Sequence, residues 1–154
     1  MQLTRFTDYA LRVLMHLASR EDERCTIGAI AASQAISGNH LMKVVHQLAR
    51  QGYVATLRGN GGGLRLARAP GTISIGAVVR DMEETLAPAE CLDAGRDCSC
   101  HLLPSCRLQP LLHDAQQAFL RHLDGYSLSD LMHPRGPPPA LLQHWPRRSG
   151  RVRD

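Results

Sequence analysis

The chain has 154 residues and a formal net charge of +4, with 21% charged and 4% aromatic residues, enough for one domain with a core and an appended arm. It opens MQLTRFTDYALRV, without the basic stretch and apolar run of a secretory signal, and no apolar run approaches the roughly 20 residues that cross a bilayer. The expectation is a cytoplasmic protein with no membrane partner, which puts a disulfide framework last among the uses of its five cysteines.

Along the chain, Tyr9, Leu11, Val13, Leu14, Leu17 and Ala18, with polar Asp8, Arg12 and His16 between them, predict a first helix over 7–20. Thr26 opens a short helix, TIGAIAASQ. After a brief turn, Ser37 is a natural N-cap for SGNHLMKVVHQLARQ, which buries Leu41, Val44, Val45 and Leu48 and stops at Gly52. Two short apolar strands, YVATL and LRLAR, flank the tip RGNGGG and predict a hairpin. ISIGAVVRDME is helical. An irregular loop follows, then a long helix in CRLQPLLHDAQQAFLRHLDG with a stripe of Leu108, Leu111, Leu112, Ala115, Phe119 and Leu123. Pro110, awkward inside a helix, predicts a later start or a kink there. A last short helix begins at Ser127. From Pro134 onward the chain is rich in proline and arginine and reads as a disordered basic tail.

Charge is divided along the chain. Residues 1–80 hold ten Lys/Arg against four Asp/Glu, residues 81–133 three against nine, and residues 134–154 five against one. A basic first half beside an acidic second half predicts a polyanion that meets the first half only.

Helix, short helix, turn, helix and hairpin is the order of a winged helix-turn-helix. The second helix of the pair must enter a major groove, so its outer face needs donors and positive charge. Here that face offers Asn39, His40, Lys43, His46, Gln47 and Arg50, with Ser37 and the free N–H groups at the helix start available to a phosphate. Arg58, Asn60 and Gly61 belong to a hairpin tip whose backbone can approach a sugar–phosphate chain closely. The fold class expected is mainly α with a small β-hairpin wing. Residues 1–80 form the winged helix-turn-helix, 81–133 the cysteine loop and a long helix, and 134–154 the tail.

Residues 91 to 106 read CLDAGRDCSCHLLPSC and gather Cys91, Cys98, Cys100 and Cys106. In a reducing compartment such bunching points to metal or redox chemistry. Three cysteines with His101 could make a structural zinc site, although His101 directly follows Cys100 and paired zinc ligands usually stand further apart. An iron–sulfur cluster suits thiolates on an irregular loop equally well. A thiol relay on Cys98-Ser99-Cys100 would need a basic setting, and Glu90, Asp93 and Asp97 surround it, so no enzyme is expected. Cys25 stands apart and reads as structural.

Taken together, MQLTRFTDYALRVLMHLA, HLMKVVHQLARQGYV, LRGNGGGLRLA and CHLLPSCRL resemble the iron–sulfur repressors of bacteria, from residue 1 to about 132. The resemblance implies a homodimer of winged helices joined by the helix after Cys106. It also implies a cluster held by three cysteines, which map onto Cys91, Cys100 and Cys106, with Cys98 an extra thiol and a substitute candidate. In the nitric-oxide-responsive branch the fourth ligand to a 4Fe–4S cluster is the Asp of FTDY from the partner subunit, in this sequence Asp8. The cluster-assembly branch instead uses a His three residues after its last cysteine, where this chain has Gln109. The resemblance therefore implies a repressor of palindromic operator DNA that holds a cluster, 4Fe–4S before 2Fe–2S. Nitric oxide, by nitrosylating the cluster, would release the DNA and derepress detoxification genes. The alternatives are a regulator of the same fold that responds to iron or cluster content, and a zinc-stabilised DNA-binding protein. From the residues alone, Asp8 equally suits an i,i+4 pair with Arg12.

Overall fold

The structure, a computed structural model, describes residues 2–20, 25–57, 59 and 62–132. The wing-tip residues Arg58, Asn60 and Gly61 and the tail from 134 to 154 lie outside the described residues. Thr4 caps helix α1 (Arg5–Ala18), its hydroxyl accepting from the Thr7 N–H at 3.4 Å. Thr7, Ala10, Val13, Leu14 and Leu17 recur at helical spacing and form the buried face. His16, expected on the polar side, is only 8% exposed. It sits beside Val13 and Leu17 on the face that meets the next helix, where Arg20 Nη1 lies 3.2 Å from its Nε2 and Ser33 Oγ 3.4 Å from its Nδ1. Local polarity of one residue cannot report such a partner.

Thr26 caps α2 (Ile27–Gln34) through a 3.1 Å bond from Ala29 N–H. The turn to the next helix runs through Ala35, the one described non-glycine residue with positive φ (54°), and buries Ile36. Helix α3 (Gly38–Arg50) follows, with Leu41, Val44, Val45 and Leu48 inside. Ser37 takes the N-cap position but makes no capping hydrogen bond through its side chain. At Gly52 (φ +71°) the chain turns into β1 (Val54–Leu57), which pairs antiparallel with β2 (Gly63–Leu66), Val54 opposite Leu66 and Leu57 opposite Gly63. Gly62 has to be glycine, because a Cβ there would lie 2.5 Å from the Leu57 carbonyl oxygen. Buried Cys25 extends the hairpin by one bridge, its carbonyl accepting from Leu64 N–H at 2.7 Å. This is the mainly helical chain with a β-hairpin wing that the element order predicts.

Helix α4 (Ile75–Met82) packs Ile75, Val78 and Met82 into the same core and also buries Val79. The cysteine segment follows as two short 3-10 turns, Glu90–Leu92 and Leu103–Ser105. Helix α5 (Leu108–Asp124) then starts early enough to hold Pro110 in its first turn, where a missing N–H costs no intrahelical bond. Within one chain α5 buries only Leu120, while α6 (Leu128–Met132) returns Leu128 to the core.

Tyr53 joins the wing to α4. Its hydroxyl donates to Asp81 Oδ2 at 2.5 Å, and the Arg68 guanidinium lies 4.9 Å from its ring centroid. Burial, then the hydrogen bond and charge of Asp81, push the Tyr53 hydroxyl above the ordinary phenol range, while Arg68 pulls the other way. Below pH about 10 both folded and unfolded chains keep that proton; above it only the unfolded chain loses it, so stability falls as pH rises. Urea midpoints taken from pH 8 to pH 11 should show a decline that Tyr53→Phe makes shallower.

Candidate nucleic-acid interface and metal centre

The α3 register decides which side chains are free. With Leu41, Val44, Val45 and Leu48 turned inward, Ser37, Asn39, His40, Lys43, His46 and Arg50 are all exposed, and Gln47 is half-buried. No acidic residue lies on this helix, so its outer face carries only donors and cations. Ser37's hydroxyl, unused as a cap, stands at the helix start among N–H groups that no carbonyl of the helix satisfies.

Packing of α1 on α3 adds two residues that the sequence alone did not single out. Arg5 and Tyr9, with Phe6, line a cleft of about 220 Å³ shared with His40 and Lys43. The basic face of α3 therefore continues onto the first turn of α1. The signal for it is a basic residue one turn before Tyr9, but only the α1–α3 contact makes it meaningful.

Asp8 lies on the same first turn of α1, its carboxylate 47% exposed and 3.0 Å from Arg12 Nη2. An exposed i,i+4 pair contributes roughly 0.3–0.5 kcal/mol, too little to hold the carboxylate against a stronger ligand. The four clustered cysteines are free thiols; Cys91, Cys98 and Cys106 are half-buried and Cys100 is exposed. Loss of solvation raises the Cys91 thiol above its ordinary value, and the charges of Cys98 first, then Cys100 and Cys106, add to this. The Cys91 thiol thus feels the other three. Among the described residues, however, no three His, Cys, Asp or Glu side chains converge as a ready metal site. The donor chemistry fits an iron–sulfur cluster, since several accessible thiols share one irregular loop. Within one chain the fit stops at the thiols: Asp8 keeps its partner Arg12.

A pair of hydrogen bonds joins the end of α4 to the start of α1. The chain leaves α4 through Glu83, whose Oε1 accepts from Thr4 N–H at 2.7 Å and from the Thr4 hydroxyl at 3.1 Å. Thr4 is the N-cap of the helix that carries Arg5, Asp8 and Tyr9. The end of α4, eight residues before Cys91, is thereby fixed to the end of α1 that carries Arg5.

Comparison with known proteins gives the family and the fold. A profile of the Rrf2 family, described as an iron-dependent transcriptional regulator, matches residues 3–134. The HTH-type transcriptional regulator NsrR of Geobacillus kaustophilus (strain HTA426) is 50% identical over 144 residues, 93% of this chain and 97% of that protein. Among solved structures, CymR, the global cysteine regulator of B. subtilis, is 24% identical with a TM-score of 0.67, over 86% of this chain and 96% of that one. T. potens IscR is 21% identical with a TM-score of 0.64, over 86% of each chain. At those identities the two structures establish the fold, a winged helix.

Proposed function

The chain belongs to the Rrf2 family of transcriptional regulators, DNA-binding proteins rather than enzymes, and on that premise we propose that it is a homodimeric repressor whose operator binding answers to nitric oxide. The observation that carries the reading is that four free thiols share one loop, which leaves α4 just beyond Glu83, the residue bonded to the Thr4 cap of α1. Cys91, Cys100 and Cys106 would hold an iron–sulfur cluster, 4Fe–4S before 2Fe–2S, with Asp8 contributed by the second subunit and Cys98 in reserve. When bound, such a cluster supplies iron sites that react with nitric oxide.

The chain's own residues do the rest. Ser37, Asn39, His40, Lys43 and Arg50 would face DNA from α3, Arg5 would join them from α1, and the sequence adds Arg58, Asn60 and Gly61, outside the described residues, as further DNA-contacting candidates. With the cysteine segment drawn in, Glu83 holds the α1 N-cap and keeps Arg5 and Tyr9 against His40 and Lys43. Release of the segment frees that end of α1, and the basic face loses its shape. No helix among the described residues is long and apolar enough to cross a membrane, and the reading keeps the protein in the cytoplasm with its DNA.

Lys43 and Arg5 should act on phosphates rather than bases. Lys43→Ala and Arg5→Ala are each expected to weaken binding to all duplexes alike and to lower the slope of log affinity against log salt by about 1. Anisotropy titrations from about 50 to about 200 mM salt measure both. The reading as a whole is tested by the anaerobic absorbance spectrum with iron and sulfide assays, followed by titration with nitric oxide. A brown protein that bleaches and then releases operator DNA supports it. A colourless protein with one tightly held zinc per chain makes the loop a structural clasp and overturns it.

A further inference from the structure

Helix α5 is fastened to the winged helix at its C-terminal end. Its last residue, Asp124, receives both arms of the Arg80 guanidinium, Nη1 to Oδ1 at 2.7 Å and Nη2 to Oδ2 at 2.6 Å. One turn before Arg80, Gly76 lies flush against this point; a Cβ there would come 2.9 Å from the Asp124 nitrogen. Just beyond, the Ile75 N–H donates to the Tyr126 carbonyl at 2.9 Å and the Leu128 N–H to the Ile73 carbonyl at 2.8 Å. Toward its other end α5 exposes Leu108 and Leu111.

This is more attachment than stability calls for. The Arg80 and Asp124 side chains are 41% and 40% exposed, and pairs so open to water add little to stability. What a two-point fork supplies is orientation: it fixes the plane of one group against the other, which a single contact does not. Helix α5 has 17 residues, a lever of roughly 25 Å at 1.5 Å per residue. A tilt of about 10° at Asp124 would displace its far end by about 4 Å, close to one base-pair step of about 3.4 Å.

We propose that Arg80 and Asp124 are positioning residues that set the angle of α5 against the winged helix, and thereby the separation of operator half-sites that the regulator accepts. The proposal rests on α5 being the helix through which two chains pair. In that dimer, the angle at each joint determines how far apart the two α3 helices lie, and half-site spacing is a geometric property of the protein.

The test uses the full-length protein and an operator selected by it from a random duplex pool, with versions lengthened and shortened by one base pair between half-sites. Wild type is expected to prefer its own spacing by about tenfold or more, within the cost usual for a mismatched site. Asp124→Asn keeps the size of the side chain and loses its charge. Arg80→Lys keeps the charge and loses the fork. Both are expected to remain dimers of wild-type mass and to narrow the spacing preference to about threefold or shift it by one base pair. Arg80→Lys behaving as wild type would mean that charge alone suffices, and the orienting role falls. Unchanged preference in both variants overturns the proposal while leaving the dimer reading intact. A monomeric wild-type protein by light scattering overturns the dimer reading, and the proposal with it.

Discussion

Serine at Cys91, Cys100 or Cys106 is expected to leave the purified protein colourless and to weaken operator binding between about 5- and 150-fold, the usual range of coupling between two sites on one protein. A serine hydroxyl stays protonated near neutral pH and does not replace a thiolate on iron, so each ligand lost should cost the cluster rather than loosen it. Cys98→Ser is the internal control and should keep both colour and binding. The electrostatic pattern makes that control informative, because Cys98 is the thiol that Cys91 feels most strongly. If Cys98→Ser bleaches the protein and Cys91→Ser does not, Cys98 takes the place of Cys91 in the ligand set. Iron content and the visible spectrum decide between the two before any DNA is added.

Leu111→Asp should have the larger effect on DNA. In a single chain Leu108 is 58% and Leu111 61% exposed, two large aliphatic side chains one turn apart on a long helix. Pairing of two such helices would remove both from water, and an aspartate in the seam would be desolvated without a partner. The variant is expected to run as a monomer and to fall from specific toward nonspecific affinity, a loss of about 10³-fold or more. Its monomer fold should survive, because Leu111 touches none of the core built around α1, α3 and α4. Light scattering reads the mass, and circular dichroism reads the helices. A dimeric Leu111→Asp protein would place the pairing surface elsewhere.

Much of the fold was legible because its signals are local. Thr26 caps the helix that follows it, and the inward residues of α3 keep helical spacing from Leu41 to Leu48. Relations across the chain were not legible. His16 is polar by type and buried by neighbourhood. The stripe on α5 was read as one face, yet Leu120, outside that stripe, is its buried residue, while Leu123 turns toward the core. Arg80 and Asp124 stand 44 residues apart, and Thr4 and Glu83 stand 79 apart, so no window of sequence contains either pair. The candidate site divides in the same way. The basic face of α3 follows from periodicity, whereas Arg5 and Tyr9 gain meaning only where α1 packs on α3.

That α5 buries little more than Leu120 within its own chain has a consequence for how much of the protein a cell must hold. If the remaining apolar surface of the helix is covered only by a second copy, folding and pairing draw on the same free energy, and thermal stability climbs with protein concentration. The number of chains in the cell then enters regulation twice, through the share of chains that survive as pairs and through the occupancy those pairs achieve on DNA. A modest fall in synthesis would open the promoter more sharply than a simple binding curve allows.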